Sequence, residues 1–204
     1  ILDNIHVDIV SMMNGQGATS YNIIQEHLEK LTIEKIGYLP TLLDIKTKYN
    51  KTLTISAYNY TRKKEEILSY VTHPDLPCLI AIRMSANLPL IFDHFKYQGS
   101  YYVDGGLINN FPIDIGEQVG AKTLGIFIQP VVEKETREIP KSMIEYIYQL
   151  VLIPVRDSIE RKIDRISSSS TTIIRLEHGG SNFTFPLTTK EKVEMFDHGY
   201  DKLV

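Results

Sequence analysis

One carboxylate in this chain stands where catalysis is commonly done. In the run Tyr101-Tyr102-Val103-Asp104-Gly105-Gly106-Leu107-Ile108-Asn109-Asn110-Phe111-Pro112, an apolar strand pattern ends on Asp104 and two glycines follow. Such a turn leaves the Asp carboxylate at the mouth of a sheet, and the glycines can take φ > 0 at little cost. Pro112 suits the first turn of a following helix, whose dipole Asp114 complements. Taken alone, Asp-Gly-Gly also describes an ordinary strand-turn-helix connection.

Other chemistry is thinly supported. His6-Val7-Asp8 and Asp93-His94 have no further His at helical spacing and no Cys pair, so no metal site is expected. The single Cys78 opens an apolar helical pattern and reads as a buried thiol; it excludes an intramolecular disulfide framework. No Gly-x-Ser-x-Gly elbow is present. Gly15-Gln16-Gly17 leads through Ala18 and Thr19 to a helix cap, and Gly179-Gly180-Ser181-Asn182-Phe183 lacks the last elbow glycine, so both read as turns. In a Ser, Asp, His order, His178 or His198 would follow Asp104.

A second segment gives Asp104 its context. Ala81-Ile82-Arg83-Met84-Ser85-Ala86-Asn87-Leu88-Pro89-Leu90-Ile91-Phe92 joins the Asp turn by a short connection through Gly99, and the whole run from Pro77 to Ile128 resembles the patatin-like phospholipases. In that family a helix ending in small residues and proline is followed by a strand, an Asp-Gly-Gly or Asp-Gly-Ala turn and an Asn-x-Pro helix start. The resemblance implies a patatin-like three-layer α/β fold with a central, mostly parallel sheet flanked by helices. It extends more loosely over residues 1–204, expected to be a single domain.

It also implies a mechanism without histidine, metal or cofactor. A serine in the elbow attacks an ester carbonyl and the Asp of the turn, here Asp104, is its base. Gly105 and Gly106 then serve the turn and close packing beside the serine elbow. Ser85 and Asn87 are candidate lining residues, and Asn109 and Asn110 are expected to cap the next helix. The family's oxyanion loop and elbow lie upstream of the matching part, and the chain opens on Ile1, not Met. We therefore expect the C-terminal part of a catalytic domain, inactive alone, which needs the N-terminal part of the same domain or oligomerises without it.

The implied function is a lipid acyl hydrolase of the phospholipase A or lysophospholipase kind, acting on lipid at a membrane surface. The alternative is a patatin-shaped binding or scaffold protein lacking the nucleophile. Composition fits either: 204 residues, 43% hydrophobic and 23% charged, suffice for one buried core. A net charge of -3 gives no footprint for nucleic acid and none for anionic membranes. No apolar run spans a bilayer, so a cytoplasmic or peripheral membrane location is expected.

The elements that must position Asp104 follow from periodicity. Thr19 or Ser20 can cap a helix with the stripe Tyr21, Ile24, Leu28 and Leu31. Leu53, Ile55 and Ala57 alternate with polar neighbours as a strand, with Thr61 to Lys64 as its polar exit. A helix is expected over Cys78 to Leu88, a strand over Tyr101 to Val103, and a short helix over Pro112 to Val119 closed by Gly120. The strand Leu124 to Ile128 is apolar on both faces, and the strand, helix, strand order favours a parallel βαβ unit. Lys141 to Ile166 is helical but interrupted at Pro154, which predicts a kink or two helices. Ser167 to Ser170 reads as a loop, Thr172 to Leu176 as a strand and Gly179 to Asn182 as a turn. Thr188 and Glu191 form a capping box before a helix whose Val193, Phe196, Tyr200 and Leu203 would close the core.

Overall fold

The computed structural model describes residues 17, 19–120, 122–130, 143–166, 170–178 and 188–201. The expectations at His6 and Asp8, at the 15–16 glycine turn, at the 179–182 turn and at Leu203 lie outside the described residues. The chain divides after Asn110 into two compact units.

In the first unit, α1 spans Asn22–Ile36. Neither expected residue caps it: the N-cap position is Tyr21, with no side-chain cap bond, Ser20 Oγ accepts the Asn22 N–H at 3.2 Å, and Thr19 makes a parallel bridge with Phe92. Gly37, at φ 87°, closes the helix onto the Ile33 carbonyl. Of the expected stripe, Tyr21 is buried just before the helix, Ile24 and Leu28 are half-buried, and Leu31 is exposed. A helix that sequence reading missed follows: α2, Leu42–Tyr49, starts from a capping box in which Asp44 N–H donates to Thr41 Oγ1 and Thr41 N–H to Asp44 Oδ2.

Strand β1, Ile55–Asn59, does not exit into a polar loop: the 60–63 segment is a hairpin turn into β2, Lys64–Leu68, with Lys63 at φ 55°. Helix α3, Cys78–Ser85, is shorter than expected. The Ala86 N–H still reaches the Ile82 carbonyl, but Pro89 disfavours helical geometry at Leu88. Strands β3, Phe95–Tyr97, and β4, Ser100–Asp104, form a second hairpin, whose two turn residues Gln98 and Gly99 both have positive φ.

These strands make one antiparallel sheet in the order β2-β1-β4-β3. Register pairs Ala57 with Asp104, Asn59 with Tyr102 and Phe95 with Tyr102, so these residues share one face. That face packs on Leu42, Leu76, Cys78, Ala81 and Met84, the core of this unit. The opposite face carries Tyr58, Val103, Tyr101 and Lys96. A single helical turn, α4, Gly106–Asn109, follows Asp104.

In the second unit, α5 spans Ile113–Gln118 and Gly120 turns the chain at φ 70°. Strand β5, Thr123–Pro130, pairs in parallel with β6, Thr171–His178, and α6, Met143–Arg165, lies between them in sequence. The parallel βαβ unit is thus β5-α6-β6. The expected pairing of the Asp104 strand with Leu124 to Ile128 is not formed: β4 pairs with β1 and β3. Pro154 sits inside one continuous helix rather than between two. The core holds Phe111, Ile113, Phe127, Val155 and Ile159. A Cβ on Gly125 would lie 2.7 Å from Ile113 and Phe111, so glycine is what lets that layer close.

Strand β5 is buried on one face only: Leu124, Ile126 and Ile128 are exposed. Helix α7, Thr189–Asp201, starts from the expected capping box, Thr188 N–H to Glu191 Oε2 and Glu191 N–H to Thr188 Oγ1. Its Val193, Phe196 and Tyr200 are exposed and do not close the core.

Candidate active site at the Asp104 turn

Asp104 ends β4 and is held at both its backbone and its side chain. Its N–H donates to the Asn87 carbonyl at 3.0 Å, and its Oδ1 accepts the Gly106 N–H at 2.6 Å. The second bond orients the carboxylate over the start of α4 through Oδ1, and Oδ2 is the oxygen left to face a reacting group. Burial pushes the Asp104 carboxyl above the usual carboxylate range, and the Gly106 N–H opposes this by favouring the charged form. A base shifted in that direction has a better matched affinity for a proton near neutral pH.

Gly105 is required, and neither glycine serves a positive φ. Gly105 has φ -65° and ψ -25°, ordinary right-handed helical values, and Gly106 begins α4. The requirement is steric. A Cβ on Gly105 would run into the Ser56 carbonyl oxygen and lie 2.5 Å from its carbon, whereas one on Gly106 would meet only side-chain ends, Asp104 Oδ1 at 2.8 Å and Asn110 Oδ1 at 2.6 Å, which can shift. The turn therefore sits directly on the backbone of β1, which fixes where Asp104 ends.

Beside it is a polar network that sequence reading did not find. Glu65 Oε1 accepts from Ser56 Oγ at 2.8 Å and from Asn109 Nδ2 at 3.0 Å, tying β1, β2 and α4 together. Asn109 is therefore a buried tie within α4, and α5 has no side-chain cap, so the helix-capping role expected of Asn109 and Asn110 is not formed. Only pairing of β1 with β2 brings Glu65 here, and that hairpin was read as a loop.

Of the candidate lining residues, Asn87 is buried and clamps β4 twice, through its carbonyl on Asp104 and its Nδ2 on the Tyr102 carbonyl at 2.9 Å. Ser85 is half-buried at the end of α3 and is not among the residues lining the adjacent cavity. That cavity, about 750 Å³, lies on the Tyr58 and Val103 face of the sheet; Asn87 and Leu107 line it and Asp104 does not.

The remaining sequence candidates lie apart from this chemistry. Cys78 is buried, and desolvation pushes its thiol up, as suits an inert core residue. Asp93 is engaged by Arg83 at 2.6 Å, and His94 packs edge-on against Tyr101. No group of three metal-ligating side chains occurs among the described residues. His198 is exposed on α7.

The strand, Asp-Gly-Gly and short-helix geometry coincides with a match of residues 15–116 to the family model described as patatin-like phospholipase. The chain belongs to the patatin-like phospholipase family. A probable lipid hydrolase of Invertebrate iridescent virus 6 is 40% identical over 103 residues, covering 50% of this chain and 36% of the relative. An uncharacterized protein of Acanthamoeba polyphaga mimivirus is 28% identical over 154 residues, 73% of this chain and 52% of the relative. The chain thus spans about a third to a half of the length of these relatives. Among solved structures, VipD from Legionella pneumophila is similar with a TM-score of 0.49 and 19% identity, over 80% of this patatin-like chain and 34% of VipD. The fold is mixed α/β and includes a parallel strand pair.

Proposed function

We propose that the protein is a lipid acyl hydrolase of the phospholipase A or lysophospholipase type, working through a Ser/Asp dyad in which Asp104 is the base. The observation that carries this reading is the Asp104 carboxylate itself, fixed by the Gly106 N–H on a turn whose Gly105 leaves no room for a Cβ, and shifted upward by burial. The family match and the lipid-hydrolase name of a viral relative supply the substrate class.

In the proposed cycle, Asp104 takes the proton of a serine hydroxyl as its oxygen attacks the acyl carbonyl. The proton passes to the leaving alcohol as the ester C–O bond breaks, leaving an acyl-serine. Water then attacks the acyl carbon, Asp104 takes its proton, and the free fatty acid leaves as the serine is reprotonated. The 204 residues hold no Gly-x-Ser-x-Gly elbow, so the serine comes from elsewhere in the whole protein. The substrate is met at a membrane surface, in keeping with the finding that no described helix is long and apolar enough to cross a bilayer.

The test is release of labelled fatty acid from phosphatidylcholine and lysophosphatidylcholine by the full-length protein, together with labelling by a fluorophosphonate, which reacts with activated serines. Fatty acid release with labelling supports the dyad. Release without labelling refutes it, and the absence of both favours a binding or scaffold protein.

A further inference from the structure

Both hairpin turns of the antiparallel sheet lie at one end of it, far along the strands from Asp104. The Tyr60 N–H donates to the Tyr101 carbonyl at 2.9 Å and the Tyr101 N–H to Thr61 Oγ1 at 2.9 Å, so the β1-β2 turn is tied to the start of β4, beside the β3-β4 turn. The cavity on the Tyr58 and Val103 face opens here, because Tyr60 and Tyr101, both substantially exposed, line it. Leu90 is a further cavity residue with an exposed side chain, while Ile108 lines the cavity from α4, past the Asp104 end of β4. Tyr60 and Tyr101 thus hold two large aromatic side chains side by side in contact with water at this end, although soluble surfaces normally keep such patches small.

Charge at this mouth runs against the charge of the whole chain. The Lys63 ammonium stands 3.7 Å from the centre of the Tyr60 ring and that of Lys96 5.3 Å from the centre of Tyr101. Arg62 and Lys64 are exposed as well, but both pair with the buried Glu66 of the opposite face, at 3.6 and 3.7 Å. Two acids lie nearby and both are engaged: Glu65, one pair from the turn opposite Tyr58, accepts from Ser56 and Asn109, and Asp93, between the cavity residues Phe92 and His94, pairs with Arg83. A net charge of -3 overall therefore coexists with a locally basic, aromatic rim.

We infer that this turn end of the sheet docks the protein on membranes carrying anionic phospholipid, with Tyr60 and Tyr101 in the interface, Lys63 and Lys96 on the headgroups, and the apolar cavity open to an acyl chain. The chemistry matches an interfacial surface: aromatic rings favour the headgroup level, lysines are attracted to anionic leaflets, and a cavity of about 750 Å³ is within the range of small-molecule sites. The ligand class rests on the lipid reading proposed above, but docking does not require hydrolysis. Asp104 does not line the cavity, so Asp104→Asn is expected to leave vesicle binding unchanged, and failure of catalysis and failure of docking are read separately.

The experiment is co-sedimentation of the full-length protein with phosphatidylcholine vesicles, with and without phosphatidylserine, over a salt series. Wild type is expected to bind the phosphatidylserine vesicles preferentially and to weaken as salt rises. Each lysine removed costs roughly fivefold in affinity, from about 1 kcal/mol per basic residue at an anionic surface, so Lys63→Gln with Lys96→Gln loses roughly 25-fold. Tyr60→Ser with Tyr101→Ser weakens binding at every salt concentration, because it removes the two interfacial rings. The control pair Lys30→Gln with Lys35→Gln, exposed on α1, removes the same charge elsewhere and retains wild-type affinity. Equal binding to phosphatidylcholine alone, an unchanged Lys63 and Lys96 variant, or an equal loss in the α1 control overturns the docking face.

Discussion

Replacing Gly105 by alanine tests whether the Asp104 turn is set by contact with β1. The backbone conformation of Gly105 is one that any residue adopts, so alanine carries no torsional penalty there. Its Cβ, however, would stand 2.5 Å from the Ser56 carbonyl carbon and 2.7 Å from Ser56 Oγ, against ordinary contacts of 3.4–4 Å. Relief requires the turn or β1 to retreat by about 1 Å, and overpacking of this kind costs typically 1–3 kcal/mol. Because the obstacle is backbone, we expect the upper half of that range, and a fall in melting temperature of about 4–8 °C per kcal/mol for a unit of this size. The same retreat displaces Asp104, and a misplacement of about 1 Å costs on the order of 10²-fold in rate. Thermal unfolding and fatty acid release by the full-length protein read the two effects. Gly37→Ala is the matched control: it has open space but φ 87°, so it loses about 1–2 kcal/mol without a change in rate. Wild-type stability and rate in Gly105→Ala would refute the reasoning. So would rescue by Ser56→Ala, which removes the hydroxyl but not the carbonyl.

Three further outcomes follow from the structure. Asp104 has a raised folded pKa, so its contribution to stability is fully present below the usual carboxylate range and is lost as pH rises through the folded value. Asp104→Asn should therefore gain on wild type in denaturant midpoint as pH rises from about 4 to about 7, and converge with it in acid; an advantage that grows in acid would contradict this. Tyr102→Phe deletes the bond from the Tyr102 hydroxyl to Glu66 Oε2, 3.0 Å long and buried in the core face, and should cost about 1.5–3 kcal/mol in chemical unfolding. Thr41→Ala removes the acceptor of the Asp44 N–H at the start of α2 and should cost about 1 kcal/mol by the same measurement, with the rate of ester cleavage unchanged.

The site was legible in the sequence to the extent that it is local. Asp104, the two glycines and the helix that follows are contiguous, so their order alone placed a carboxylate at a strand end. The reason for Gly105 was not legible, because it lies in Ser56, about fifty residues earlier, and appears only when β1 pairs with β4. Glu65 and Asn109 meet for the same reason: both depend on a β1-β2 hairpin whose turn, Thr61-Arg62-Lys63-Lys64, carries no glycine and reads as a polar exit. The β3-β4 turn has Gln98 at φ 45° where asparagine or glycine is the usual signal. Strand order was misread because a strand, a short helix and a strand suggest a parallel crossover, whereas β4 is already hydrogen-bonded on both edges by β1 and β3. Periodicity was more reliable for caps: the Thr188 and Glu191 spacing formed as read, while the apolar stripe of α7 stayed exposed because spacing reports a face, not what covers it.

The central claim is that Asp104 is the base of an acyl hydrolase. The most direct measurement compares wild type with Asp104→Asn for fatty acid release from phosphatidylcholine, both as the full-length protein at matched folded concentration. The asparagine is nearly isosteric and keeps an oxygen for the Gly106 N–H, so the fold and lipid binding should persist while kcat falls by about 10²–10⁴-fold. Fatty acid release by Asp104→Asn at the wild-type rate would contradict the assignment.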